Sequence, residues 1–274
     1  METIKEKTFR GKTIYNPSGK AGEYSYWACN FYNGCSNDCQ YCYCKRGVMS
    51  SNWSNPPKLK SKLKDENHAL EIFEKELMQN LPELQKHGLF FSFTTDPMLE
   101  EALSLTWSAI NICFKNNVNV KILTKCTDWL RWFKYETYSK YLLNSNKAQI
   151  AFGFTLTGHD ELEPNASSNA ERIIAMKRLH DAGFKTWASI EPVIDLDSSW
   201  NMIESTQGFC DLYKIGLESG KEKMQNKYKL QDFISSAENL KGKFYFKESF
   251  LKMAEKIKPL PENCVTRDYN MFEN

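Results

Sequence analysis

Along the chain, short stretches that are apolar almost without interruption alternate with stretches that place apolar residues at every third or fourth position. The first kind comprises "LFFSFT" (89–94), "VNVKILTK" (118–125), "QIAFGFTL" (149–156), "KTWASIEPVI" (185–194), "LYKIGL" (212–217) and "KFYFKES" (243–249). A strand that shows one face to water alternates strictly, so continuous apolar runs predict strands covered on both faces, as in a parallel sheet. The second kind predicts helices. One carries Leu70, Phe73, Leu77 and Leu81, and the next Leu103, Trp107, Ile110 and Phe114. A third opens on Ser168 and Glu171 as a capping box, runs through Ile173, Met176 and Leu179, and stops at Gly183. The aromatic-rich "DWLRWFKYETYSKY" (128–141) reads as a further helix, and an earlier strand is expected over about 24–31.

Strand, loop and helix recur in this way without a composition break, repeat or linker. The expectation from the pattern is a single α/β domain, either a barrel or an open parallel sheet. Residues 1–23 would form an N-terminal extension, 24–250 the core, and 251–274 a C-terminal helix and tail. In such folds the loops after the strands share one rim and carry the chemistry. "FTTDP", "LTKC", "FTLTG" and "SIEP" all fall at strand ends and would meet there.

Composition changes little in this picture. The 274 residues are 41% hydrophobic and 14% aromatic, enough for a full core, and the formal net charge of +2 neither demands nor excludes an anionic partner. The N-terminus has no apolar leader and no run of 18 apolar residues occurs, so the expectation is a cytoplasmic protein with no membrane partner and reduced thiols.

The cysteines do change it. Cys29, Cys35, Cys39, Cys42 and Cys44 fall within 16 residues, four of them in "GCSNDCQYCYC" (34–44). Cys113 and Cys210 sit in apolar surroundings and read as small buried hydrophobes. A disulfide needs an oxidising compartment, which the N-terminus argues against. Structural zinc usually draws ligands from two separated knuckles, and no second knuckle occurs. Three thiolates at C-x3-C-x2-C, from Cys35, Cys39 and Cys42, would suit an iron–sulfur cluster with one iron left open to a small molecule. The spacing alone leaves cluster and zinc both standing.

With Tyr41 just before the last cysteine, this motif resembles that of the radical S-adenosylmethionine (SAM) superfamily. "NGCSNDCQYCYC", "TTDPMLEE", "ILTKC" and "LEPNASSNAERIIAMKRLHDAGFKTWASIEPVID" resemble its spore photoproduct lyase-like branch. "IGLESG" and "FYFKES" resemble a group of phage and bacterial radical SAM proteins of unassigned function. The resemblance implies the partial (βα)6 TIM-like barrel of that superfamily, a [4Fe–4S] cluster on Cys35, Cys39 and Cys42, and SAM on the open iron. It implies reductive cleavage of SAM to a 5′-deoxyadenosyl radical that abstracts hydrogen, with a flavodoxin- or ferredoxin-like protein as electron donor.

By the same resemblance Tyr41 lies near the adenine, Thr95 near the methionyl group, Lys125 on the SAM carboxylate, and Thr155 as a further hydroxyl contact. Asp96 and Glu191, both at strand ends, are candidate polar contacts to SAM, against a helix cap for the first and a salt bridge for the second. One departure stands out. Spore photoproduct lyases carry a hydrogen-donating cysteine two residues before the hydroxyl residue, and here that place is Phe93, which has no weak X–H bond. The chain is therefore not expected to be a true spore photoproduct lyase, and Tyr43, Cys44 and Cys126 are candidate replacement donors. His159 and Asp160 could meet substrate or merely shape a turn. The stretch 45–64, with Lys45, Arg46, Lys58, Lys60, Lys62, Lys64 and Trp53, would suit a nucleic acid substrate through phosphate contacts and stacking. The competing reading is a non-catalytic iron–sulfur or zinc protein that senses nucleic acid.

Overall fold

The computed structural model describes residues 8–134, 145–220, 226–255 and 259–273. Ten strands fall in two sheets: β1 (Ile14–Tyr15), β2 (Ala28–Cys29), β3 (Tyr32–Asn33), β4 (Lys58–Leu59), β5 (Leu89–Phe91), β6 (Val120–Thr124), β7 (Ile150–Thr155), β8 (Lys185–Val193), β9 (Leu212–Leu217) and β10 (Lys243–Phe246). The large sheet runs β1-β2-β5-β6-β7-β8-β9-β10, and only the β1–β2 pair is antiparallel. From β2 to β10 the spatial order follows the chain order and never reverses. Every crossover therefore advances the sheet in one sense, which is the logic of a barrel and not of a doubly wound sheet with a switch point.

The apolar runs became strands because both faces of the sheet are covered. One apolar layer lies between the sheet and helices that include Glu66–Gln79, Glu100–Lys115, Asn169–Asp181 and Leu196–Glu204. A second, smaller one fills the other face with Tyr24, Phe90, Ala151, Trp187, Leu212, Tyr245 and Met271. All six residues of β7 are buried, and Gly153 leaves the room that the Trp187 ring takes.

The capping box at Ser168 and Glu171 forms as expected, and Asn169–Asp181 follows it. The Glu100–Lys115 helix buries half of the expected stripe. Ile110 and Phe114 turn inward with Ala102, Leu105, Ala109 and Cys113, while Leu103 and Trp107 are half-buried at its flank. Residues 128–134 form a 3-10 helix, and the remainder of the helix expected over 128–141 lies outside the described residues.

The first and last described segments pack onto the body. Glu76, buried on the Glu66–Gln79 helix, accepts from the backbone N–H groups of Lys12, Thr13 and Ile14 and from the Thr13 hydroxyl, and so holds β1 in place. In the last segment the Val265 N–H donates to the Phe244 carbonyl, the Phe244 N–H donates to the Asn263 carbonyl, and Met271 closes the inner apolar layer. No helix among the described residues is long and apolar enough to cross a membrane.

Candidate active site at the strand ends

A cavity of about 390 Å3 opens where β5 to β10 end. Cys35, Cys39 and Cys42 line it together with Tyr41, Tyr43, Cys44, Thr95, Asp96, Lys125, Thr155 and Glu191. Of the cluster, SAM and hydrogen-donor candidates, only Cys126 lies off the wall: its thiol donates to Asn37 Oδ1 (3.4 Å) and Asp96 Oδ2 (3.6 Å).

The cysteine loop turns on backbone that few residues allow. Gly34 has φ +93° and passes so close to Ser54 that a Cβ would stand 1.9 Å from its carbonyl oxygen. Glycine is the residue that fits such a position. Asp38, between the first two ligand candidates, has φ 53° and takes the Lys45 ammonium on its carboxylate at 2.5 Å. The Cys35 N–H donates to Ser54, and the Thr95 hydroxyl donates to the Gly34 carbonyl at 2.6 Å.

Asp96 joins this loop to the end of β6. Its carboxylate accepts from the Thr124 hydroxyl (2.6 Å), the Lys125 N–H (2.7 Å), the Asn37 amide (2.8 Å) and the Met98 N–H (3.0 Å). These donors engage both oxygens, so the residue clamps the cysteine loop to the end of β6.

Lys125 holds its ammonium 5.5 Å over the Tyr41 ring. Burial opposes its charge, but Cys39 and Glu163 outweigh that and raise its pKa. The Tyr41 hydroxyl donates to Glu163, which pairs in turn with Arg172, a guanidinium with no exposed surface. Arg172 also donates to the carbonyls of Thr155 (2.6 Å) and Ser167 (2.8 Å). The three thiols differ electrostatically. Burial, reinforced by Asp96, pushes Cys35 up to about 12, and burial raises Cys39 against the pull of Lys125. Hydrogen bonding with Cys44 brings Cys42 down to about 6. Among the described residues no group of three or more His, Cys, Asp or Glu side chains is arranged to hold a single metal ion.

The opposite wall is built from strand ends. Lys247, 2% exposed, reaches both oxygens of Glu191 at 2.9 and 3.0 Å and stands 4.7 Å over the Tyr24 ring. The salt-bridge alternative for Glu191 is thus what the structure shows. The pair crosses above β9 because Gly216 has no side chain: a Cβ there would come within 2.7 Å of Glu191 Cδ and Lys247 Cδ. The Tyr24 hydroxyl meets Ser189 Oγ at 2.5 Å, and its ring stands edge-on to Phe93 at 6.1 Å.

Two of the expected donors meet at Phe93. The Tyr43 hydroxyl donates to the Phe93 carbonyl at 2.6 Å and the Cys44 thiol at 3.6 Å. Tyr43 is 52% exposed, whereas Cys44 is buried. His159 and Asp160 stay off the cavity. His159 bridges Glu161 (2.7 Å) and Asp195 (2.5 Å), and Asp160 accepts from Asn169.

Of the basic stretch, Trp53 lines the mouth with Lys45 5.8 Å from its ring centre. Lys58, Lys62 and Lys64 are exposed and off the cavity, and Lys60 donates to the Lys12 carbonyl. Sequence reasoning missed Tyr24, Ser189, Lys247, Glu163 and Arg172. A lysine in an otherwise apolar strand end ("FYFKES") was a readable signal for Lys247, but nothing local singles out an arginine on a charged helix.

No protein-family model matches the chain. It is 27% identical over 272 residues to the uncharacterized protein MJ0683 of Methanocaldococcus jannaschii, covering 94% of each chain. Among solved structures it is similar to a spore photoproduct lyase double mutant with bound AdoMet and dinucleoside spore photoproduct. That TM-score is 0.53, at 15% identity over 71% of this chain and 57% of the lyase. A single mutant of the lyase with dinucleoside spore photoproduct gives a TM-score of 0.48 at 14% identity. The chain thus spans little more than half the length of the lyase. It is similar to spore photoproduct lyase in fold, the architecture expected from its strand pattern and cysteine motif.

Proposed function

We propose that the chain is a radical SAM enzyme that holds a [4Fe–4S] cluster on Cys35, Cys39 and Cys42 and SAM in the cavity beside them. One observation carries this reading: three thiols from one loop share a wall with an ammonium (Lys125) and two hydroxyls (Thr95, Thr155) from three separate strand ends. A structural metal site has no use for such a surround. The donor set fits the group, since thiolates hold iron–sulfur clusters and each would meet a different iron.

When bound, cluster and SAM together supply one-electron cleavage of the sulfonium and a 5′-deoxyadenosyl radical able to abstract hydrogen. The protein's own residues bind and orient. The Lys125 ammonium suits the SAM carboxylate, and its place over the Tyr41 ring keeps it aimed into the cavity. The Glu191–Lys247 pair offers a substrate one fixed acceptor and one fixed donor opposite the thiols. The fold likeness to a lyase solved with bound AdoMet and a dinucleoside photoproduct supports the same direction. Nucleic acid is the substrate class we propose to test first, on Trp53 and Lys45 at the mouth. The physiological electron donor would be a flavodoxin- or ferredoxin-like protein.

The test is anaerobic reconstitution with iron and sulfide, then dithionite and SAM, with 5′-deoxyadenosine followed by mass spectrometry. A Cys35→Ala/Cys39→Ala/Cys42→Ala variant runs beside it. Deoxyadenosine from the native chain alone establishes the reading. A native chain that takes up a four-iron cluster yet yields none, even with DNA and RNA pools present, sinks it in favour of a sensor.

A further inference from the structure

The cysteine loop is fastened from several sides, and one of them is a single continuous segment. The segment between β7 and the Asn169–Asp181 helix runs beneath it and meets it repeatedly. The Gln40 N–H donates to the Leu162 carbonyl (2.9 Å) and the Gln40 amide to the Glu161 carbonyl (3.3 Å). The Asn165 amide donates to the Ser36 carbonyl (3.0 Å), and the Tyr41 hydroxyl donates to Glu163. The same segment reaches the β6 end, where the Ser167 N–H donates to the Lys125 carbonyl (3.1 Å) and Ser167 Oγ accepts from Thr127 (3.0 Å). Two anchor points of this segment, Glu163 and the Ser167 carbonyl, converge on Arg172, which also donates to the Thr155 carbonyl at the end of β7.

We propose that residues 160–167 form a cradle that sets the spacing of the cysteine loop against Lys125 and Thr155, with Arg172 and Glu163 as its positioning residues. Neither touches the thiols. Arg172 is shut away from solvent behind Glu163, and its three donations join the end of β7, the segment and, through Glu163, Tyr41. A guanidinium suits the task because its planar fork fixes three acceptors at once, which an ammonium cannot do with the same geometry. A buried arginine–carboxylate pair is a costly way to gain stability, and its retention beside the cavity fits a role in fixing one arrangement. Its bearing on the cofactor rests on the reading in the preceding section.

The test compares the full-length native chain with Arg172→Lys, Glu163→Gln and Tyr41→Phe, using Lys177→Ala on the outer face of the same helix as control. Amide hydrogen exchange of the cofactor-free chains reads residues 36–42, where the Gln40 amide reports the cradle directly. In the reconstituted proteins, electron paramagnetic resonance of the reduced cluster with and without SAM reads the ligand geometry. The expected result is about tenfold faster exchange over 36–42 in Arg172→Lys and Glu163→Gln, with β9 unchanged. A smaller rise is expected in Tyr41→Phe, and an altered SAM-dependent spectrum in all three.

Unchanged exchange overturns the cradle. Faster exchange with a native spectrum reduces it to a stabilising contact and overturns the positioning role. Should Arg172→Lys fail to fold, Tyr41→Phe and Asn165→Ala decide by the same criteria. A native chain that takes up no cluster sinks the functional reading itself, an outcome distinct from a change confined to the variants.

Discussion

The two walls of the cavity are made differently. The thiol wall is one loop of the chain, residues 34–44, held by short hydrogen bonds to neighbouring strand ends and to the 160–167 segment. The facing wall has no loop of its own. Tyr24, Ser189, Glu191 and Lys247 come from distant parts of the sequence and meet only because the sheet brings strand ends together. The first wall spends hydrogen bonds on geometry. The second places a carboxylate and an ammonium with little access to solvent and depends on their mutual charge. A lost partner on the second wall should therefore cost more, since an unpaired buried charge is worse than a lost hydrogen bond.

The largest effect is expected from Lys247→Met. It strands Glu191, which keeps about a fifth of its surface exposed, and should cost about 3 kcal/mol by urea midpoint. The double variant with Glu191→Leu should recover most of that loss. A single-variant cost under about 1 kcal/mol would remove the contrast between the walls.

Behind the thiol wall, Asp96→Asn keeps one acceptor oxygen and turns an amide toward the Lys125 N–H. A loss of about 2 kcal/mol is expected, with the Lys125 N–H and Asn37 left short of an acceptor. A cost above that of Lys247→Met would reverse the ranking.

Gly216→Ala sharpens the comparison from the backbone side. The added methyl meets Glu191 and Lys247 at 2.7 Å and should cost about 1–2 kcal/mol. In a background where both charged residues are shortened to alanine the penalty should fall. An unchanged penalty there would mean that the methyl strains something other than the pair.

The smallest effect is electrostatic and lies outside both walls. Burial works against charge on His159, but Glu161 and Asp195 outweigh it and raise its pKa above the ordinary 6.5. A raised folded value means that the stabilisation is full below 6.5 and fades as pH climbs through the folded pKa. Thermal melts from about pH 6 to 8.5 should show a loss below about 1 kcal/mol that His159→Asn flattens. An identical slope in that variant would assign the loss elsewhere.

Much of this was legible before the structure. Residues 89–91, 120–124, 150–155, 185–193, 212–217 and 243–246 are strands where continuous apolar runs foretold them, because strands covered on both faces carry no polar alternation. The thiol wall was legible for a similar reason: its chemistry is compressed into eleven residues. The Glu191–Lys247 pair was not, since the two residues lie 56 positions apart and meet across a third strand. On the Glu100–Lys115 helix Ile110 and Phe114 are buried as expected, but Leu103 and Trp107 are only half-buried, because the contact line follows Ala102, Leu105, Ala109 and Cys113 instead.

By itself, then, the sequence determined the strand succession, the capped helix after residue 168 and the thiol spacing, all of which depend on residues near one another in the chain. Only the tertiary structure decided that the Asp96 carboxylate is clamped and that of Glu191 paired, that Cys126 lies off the cavity wall, and that Arg172 joins the end of β7 to the segment that meets the cysteine loop. Those outcomes turn on which distant residues approach within a few ångströms, and no local pattern encodes that distance.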